Sequence, residues 1–218
     1  MNQAIIQAVA FDLDGLMFNT EELYEIVGRR IVERRDRSLD PELVTQMMGR
    51  QANVAIPIML EWYGFTDTVE DILRETDEIF AEILPNMLRP MPGLLDLLEL
   101  LNRSGIPAAV TTSSHAAYVQ NVIRIAGISH EFQFSLTAED ISQGKPHPEI
   151  YLTAAERFGV SPANMLVLED SENGCKAAVA AGAHAVAVPG DHSRHHDFSG
   201  AKLIAESLAD HRLLRFFT

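Results

Sequence analysis

The sequence predicts an α/β chain: a doubly wound, mainly parallel sheet with a small all-helical domain inserted right after the first strand. Three observations carry this. Short continuous apolar runs alternate with helical patterns, the helical patterns end in glycine, and one block near the start is helical throughout.

The strands come first. "AVAF" (8 to 11), "PAAVTT" (107 to 112), "MLVLED" (165 to 170) and "AVAVP" (185 to 189) are apolar without alternation. Such runs suit strands covered on both faces, as in a parallel sheet. Between them, "LLDLLELLNRSG" (94 to 105), "HAAYVQNVIRIAG" (115 to 127) and "EIYLTAAERFG" (149 to 159) read as helices, each stopped by its glycine.

The rhythm breaks between Asn19 and Leu88. "EELYEIVGRRIVERR" and "VEDILRETDEIFAEIL" carry apolar residues at i, i+3 and i+4, and no strand candidate interrupts them. A plain crossover needs only about a dozen residues, so this block reads as a separate helical domain, residues 19–88. The prolines of "RPMPG" stiffen the return, and residues 1–18 and 89–218 form the α/β core.

Composition sets bounds. Hydrophobic residues make up 47% of the 218, enough for a full core. Acidic residues outnumber basic ones by 31 to 17, and a net charge of -14 argues against a nucleic-acid partner. The single cysteine, Cys175, excludes an internal disulfide and fits a reducing compartment. No apolar run approaches ~18 residues, so no membrane span is expected. The reading is a soluble, cytoplasmic monomer.

Ligands of open α/β sheets bind beyond the carboxyl ends of the strands, so the residues there matter most. The first strand ends in Asp12 and Asp14, the second in Thr112 and Ser113. Lys145 follows in "GKPHPE", and the strand "MLVLED" ends in Glu169 and Asp170 with Ser171 after them. Each group alone has a plainer reading. D-x-D occurs in turns, Thr-Thr-Ser-Ser caps helices, a lysine before proline sits on a solvated loop, and Glu-Asp favours a helix start. Four such groups at strand ends of one sheet point instead to one rim. Carboxylates from two segments suit Mg²⁺, which keeps waters and a substrate phosphate in its octahedron. A lysine and a hydroxyl complete a cradle for phosphoryl oxygens.

These motifs, in this order, resemble the haloacid dehalogenase superfamily of phosphotransferases. The subgroup is the one with a helical cap inserted after the first strand, which holds sugar-phosphate phosphatases and β-phosphoglucomutase. "FDLDG" is similar to its first motif, "VTTSS" to the second, "GKPHPEIY" to the third and "LVLEDSENG" to the fourth; "AAGAHAVAVP" extends the match. The fold implied is a Rossmann-like core with a small helical cap. The function implied is a Mg²⁺-dependent phosphatase that hydrolyses a small phosphorylated metabolite, such as a sugar phosphate, through an aspartyl-phosphate.

By that resemblance Asp12 is the nucleophile, and Asp14 the acid for the leaving oxygen and then the base for water. Mg²⁺ is held by Asp12, the backbone carbonyl of Asp14 and Asp170, with Glu169 behind them. Thr112 and Ser113 bind the transferring phosphoryl group, and Lys145 neutralises its charge. In the cap, Thr20, Tyr24 and Arg50 are the candidates for substrate contact. Asn19 stands where relatives commonly have aspartate. Tyr24 replaces a histidine of the mutase, and Ala52 aligns with the mutase arginine that grips a second phosphate. Hydrolysis is therefore favoured over mutation, with a β-phosphoglucomutase-type activity as the alternative. A phospho-accepting signalling module is more remote, since such modules are phosphorylated on a middle strand and lack a large insertion.

Other features have competing readings. "DHSRHHDF" (191 to 198) could bind a transition metal or form a polar surface loop. Cys175 lies among alanines and reads as a buried spacer. Trp62 and Tyr63 could stack on a sugar or anchor a helix.

Overall fold

The computed structural model describes residues 5–47 and 52–217. It divides into two compact units, Met1–Asn19 with Arg89–Thr218, and Thr20–Leu88. No helix of the described residues is long and apolar enough to cross a membrane.

The first unit holds β1 (Ala8–Phe11), and the second unit follows with α1 (Thr20–Glu33), α2 (Pro41–Met47), α3 (Ala52–Tyr63) and α4 (Val69–Met87). The chain then returns through α5 (Leu94–Ser104), β2 (Ala108–Thr111), α6 (Ala116–Ala126), β3 (Phe134–Leu136) and α7 (Glu149–Phe158). It closes with β4 (Met165–Glu169), α8 (Glu172–Ala180), β5 (His184–Ala187), β6 (Leu203–Ile204) and α9 (His211–Leu214).

Six strands form one sheet in the order β3-β2-β1-β4-β5-β6, all paired in parallel. Strand order therefore reverses about β1, where the doubly wound topology opens its crevice. The register pairs Phe11 with both Val110 and Leu168, so β1, β2 and β4 end level with one another. Every residue of β1, β2 and β4 is buried, as continuous apolar runs demand. Alanines line one side of this core: Ala8, Ala10 and Ala185 from strands meet Ala154, Ala155, Ala177 and Ala178 from α7 and α8. Small side chains there let both helices lie close on the sheet. The helices α5, α6 and α7 stop at Gly105, Gly127 and Gly159, each left-handed with φ of 66°, 72° and 69°.

The two segments where the chain leaves and re-enters the first unit are bonded to each other. The Asn19 N–H donates to the Arg89 carbonyl (3.2 Å), and the Arg89 N–H donates to Asn19 Oδ1 (2.8 Å). One step further in, the Met91 N–H donates to the Met17 carbonyl (2.9 Å).

The second unit is held by amphipathic helices and one half-buried charge cluster. Leu23, Val27 and Ile31 of α1 and Ile72, Ile79 and Ile83 of α4 are buried at helical spacing. Thr68 and Asp71 form a capping box at the start of α4. The Arg35 guanidinium donates to both carboxylate oxygens of Asp67 (3.1 and 2.7 Å), to Glu75 (2.8 Å) and to the Ile31 carbonyl (2.8 Å), and lies 5.4 Å over the Phe65 ring. Tyr63 anchors a helix: its hydroxyl donates to the Ser38 carbonyl, accepts from the Asp40 N–H, and its ring stacks on Phe65.

Candidate active site

The polar groups at the strand ends of the first unit converge. Asp12 follows β1 directly, and its N–H still pairs with the Leu168 carbonyl of β4 (3.0 Å), which fixes its backbone. Lys145 arrives from the loop before α7 across a cis Lys145–Pro146 bond. Its ammonium donates to Asp12 Oδ1 (2.6 Å), Glu169 Oε1 (2.5 Å) and the Thr111 carbonyl (3.0 Å). All three donors of the lysine are thus engaged, and its side chain is only 6% exposed.

Glu169 is fully buried and fully partnered. Its Oε1 accepts from Lys145 and from the Tyr151 hydroxyl (2.7 Å), and its Oε2 from the Ser171 N–H (3.2 Å) and hydroxyl (2.9 Å). A carboxylate has about four acceptor positions, so this one is saturated. Gly174, in the first turn of α8, packs against it so closely that a Cβ there would overlap the carboxylate. Tyr151, on α7, also places its ring 5.3 Å beneath the Lys145 ammonium.

Burial raises the Asp12 carboxyl above its usual range; the Lys145 charge opposes the shift, and the Glu169 and Asp14 charges add to it. Burial also works against the Lys145 charge, but Asp12 and Glu169 outweigh it and hold the ammonium firmly protonated. Burial likewise drives the Cys175 thiol up, with Glu169 and Asp170 adding, so Cys175 is the inert spacer its alanine neighbours suggest.

Asp12, Glu169 and Asp170 each offer a carboxylate oxygen within 4.8 Å of the others. Hard oxygens at that spacing fit a small divalent cation, and Asp12 and Asp170 are the carboxylates that would face one, since the four acceptor positions of Glu169 are already taken. Among the described residues this is the one group of that kind, so the histidines of 191–198 form no such cluster. Instead, His196 Nδ1 accepts from the Glu172 N–H (3.4 Å) and the Asp197 N–H donates to the Glu172 carboxylate (3.1 Å), which lays that loop on the start of α8.

Asp14, two residues beyond Asp12, faces a different set. Ser114 Oγ donates to its Oδ2 (2.6 Å) and the Tyr118 hydroxyl to its Oδ1 (3.0 Å). Thr112 is buried, and its hydroxyl accepts from the Ser114 N–H (3.0 Å), shaping the turn after β2. Ser113 at the tip of that turn is exposed.

The structure therefore brings together Asp12, Lys145, Glu169 and Asp170, and ties Asp14 to the turn that holds Thr112 and Ser113. Thr20 and Tyr24 belong to the second unit, where Thr20 is buried and Tyr24 meets Phe80 edge-on at 4.7 Å. Arg50 lies outside the described residues. Ser114, Tyr118 and Tyr151 were not singled out from sequence. No linear signal marks them, since Ser114 precedes the His115 cap of α6 and Tyr118 lies inside its first turn.

The chain is similar to known proteins over most of its length. Residues 9–188 match the model of the haloacid dehalogenase-like hydrolases. A Thermotoga maritima protein named "Phosphorylated carbohydrates phosphatase" is 30% identical over 81% of this chain and 82% of its own. A Drosophila melanogaster protein, "Probable pseudouridine-5'-phosphatase", is 34% identical over 94% of this chain and 91% of its own. The crystal structure of CbbY from Rhodobacter sphaeroides in complex with phosphate superposes with a TM-score of 0.82, at 28% identity, over 94% of this chain and 96% of that one.

Proposed function

The chain belongs to the haloacid dehalogenase-like hydrolases and is a phosphoric monoester hydrolase, and we propose that it cleaves a small, hydroxyl-rich phosphate ester through an aspartyl-phosphate on Asp12. The observation that carries this reading is the Lys145 ammonium held between Asp12 and Glu169, beside Asp170 at the ends of β1 and β4.

Asp12 attacks phosphorus, an Oδ–P bond forms, and the ester P–O bond breaks. The leaving alkoxide takes a proton from Asp14. Water then attacks the phosphorus, Asp14 accepts its proton, and the Oδ–P bond breaks to release inorganic phosphate. Lys145 balances charge shared by Asp12 and the phosphoryl oxygens. The Thr112 hydroxyl and Ser113 N–H bind those oxygens. Mg²⁺, held by Asp12, Asp170 and the Asp14 carbonyl, would supply electrostatic stabilisation of the phosphoryl charge. The saturated hydrogen bonding of Glu169 supports its role as the anchor of Lys145 and not as a direct ligand.

Two relatives named for phosphorylated carbohydrates and a nucleotide-like phosphate support the substrate class. The test is phosphate release from a panel of sugar phosphates, glycerol 3-phosphate, pseudouridine 5'-phosphate and phosphoglycolate. Wild-type protein should turn over members of the panel, and folded Asp12→Asn should lose several orders of magnitude. Near wild-type release by that variant would overturn the nucleophile.

A further inference from the structure

We propose that Ser114 and Tyr118 are positioning residues, which hold the Asp14 carboxylate for its two proton transfers; the proposal rests on Asp14 being the acid and base of the preceding reading. Asp14 sits in a turn and is only partly buried, so rotation about its side-chain bonds would sweep the carboxylate through many directions. Two hydroxyls stop it, one on each oxygen. Each oxygen keeps acceptor capacity for a water or a leaving group, because a carboxylate offers about four positions and these donors take two.

The backbone that carries each hydroxyl is itself held. The Ser114 N–H donates to Thr112 Oγ1, and its carbonyl accepts from the Ala138 N–H (3.1 Å). Tyr118 is 7% exposed in the first turn of α6, and its N–H donates to the capping His115 ring (3.3 Å). The turn that supplies Thr112 and Ser113 to the phosphoryl group thus continues into the residues that aim Asp14. One rigid turn sets both.

Removing a hydroxyl should harm proton transfer and leave attack by Asp12 intact. The readout is kcat/KM for esters that differ in leaving group. A glycerol phosphate needs a proton on its departing alkoxide. Acetyl phosphate and p-nitrophenyl phosphate expel stable anions that need none. For Tyr118→Phe, which keeps the ring in its packing, kcat/KM on glycerol phosphate should fall about tenfold, as misaimed catalytic groups commonly cost. The two activated esters should hold within about twofold. Ser114→Ala should show the same split.

A parallel loss on all three esters would mean the variant merely disturbs the site, and overturns the proposal. No loss on any ester overturns it too. The Asp12→Asn control separates this from the parent reading. If Asp12→Asn is inactive and the hydroxyl variants show no split, only the positioning role falls. If Asp12→Asn stays active, the whole mechanism falls.

Discussion

Gly174 and the carboxylate of Glu169 touch with no room for a methyl group between them. The carboxylate cannot swing away cheaply, since Lys145, Tyr151 and Ser171 hold it on both oxygens. Gly174→Ala should therefore displace Glu169 and, with it, the ammonium it anchors. Overpacking of this kind costs about 1–3 kcal/mol, and a misplacement near 1 Å can cost about a hundredfold in rate. We expect a lower melting temperature together with a fall in kcat of tenfold or more, measured by calorimetry and phosphate release. An unchanged kcat would show that Lys145 does not depend on Glu169 for its position.

Glu169→Ala and Asp170→Ala should fail in different ways. The first leaves the buried Lys145 ammonium with Asp12 and the Thr111 carbonyl alone and removes the acceptor of the buried Tyr151 hydroxyl. It should lower the melting temperature clearly, an unmet buried polar group costing about 1–3 kcal/mol. The second removes a carboxylate proposed to hold Mg²⁺ and should raise the Mg²⁺ concentration needed for half-maximal activity with little loss of stability. Chelator should abolish wild-type activity, and Ca²⁺ should inhibit, because its larger, looser coordination misplaces phosphorus relative to Asp12. Melting curves and Mg²⁺ titrations of both variants decide the assignment.

Arg35→Ala should destabilise the helical unit by about 1–3 kcal/mol, the usual scale for hydrogen bonds to charged groups. Its effect should also depend on pH. The Arg35 hydrogen bonds hold Asp67 below its ordinary value of 3.8. A depressed carboxyl contributes stability above the unfolded value and loses it as pH falls through the folded one. The gap between wild type and Arg35→Ala in urea midpoint should thus be full at about pH 7 and narrow below about pH 4. A gap independent of pH would assign the effect to packing on Phe65 alone.

Net hydrolysis should dominate over isomerisation. A mutase must grip a bisphosphate by its distal phosphate and keep water from the phosphoenzyme. Ala52 offers no cation, and Tyr24, packed on Phe80, offers no imidazole. With β-glucose 1-phosphate and a trace of the 1,6-bisphosphate, free phosphate should outrun glucose 6-phosphate. Rapid formation of glucose 6-phosphate with little phosphate would restore the mutase alternative.

The buried strands β1, β2, β4 and β5 were legible because continuous apolar runs have one reading when glycine-stopped helices separate them. The edge strands β3 and β6 were not, since they are only three and two residues long and partly exposed. At the site, the residues at strand ends could be enumerated in advance because topology gathers them. Their partners could not. Tyr118 lies 104 residues from Asp14 and Ser114 lies 100 away, and nothing in a linear pattern distinguishes a hydroxyl that aims a carboxylate from one that caps a helix. Tyr151 stood inside a quoted motif, yet only the packing of α7 on the sheet reveals that its hydroxyl completes Glu169.

The paired hydrogen bonds between Asn19 and Arg89 have a consequence for descent. They make the exit and re-entry of the chain a single closed stem within the α/β unit, between the residues that flank Thr20 to Leu88. A stem that satisfies its own backbone groups does not care what it carries. Insertions of other lengths could be grafted there, or the helices replaced by a short turn, while Asp12 and Asp14 keep their frame. Recombination at such a joint would exchange the inserted helices wholesale while the residues at the strand ends are inherited unchanged.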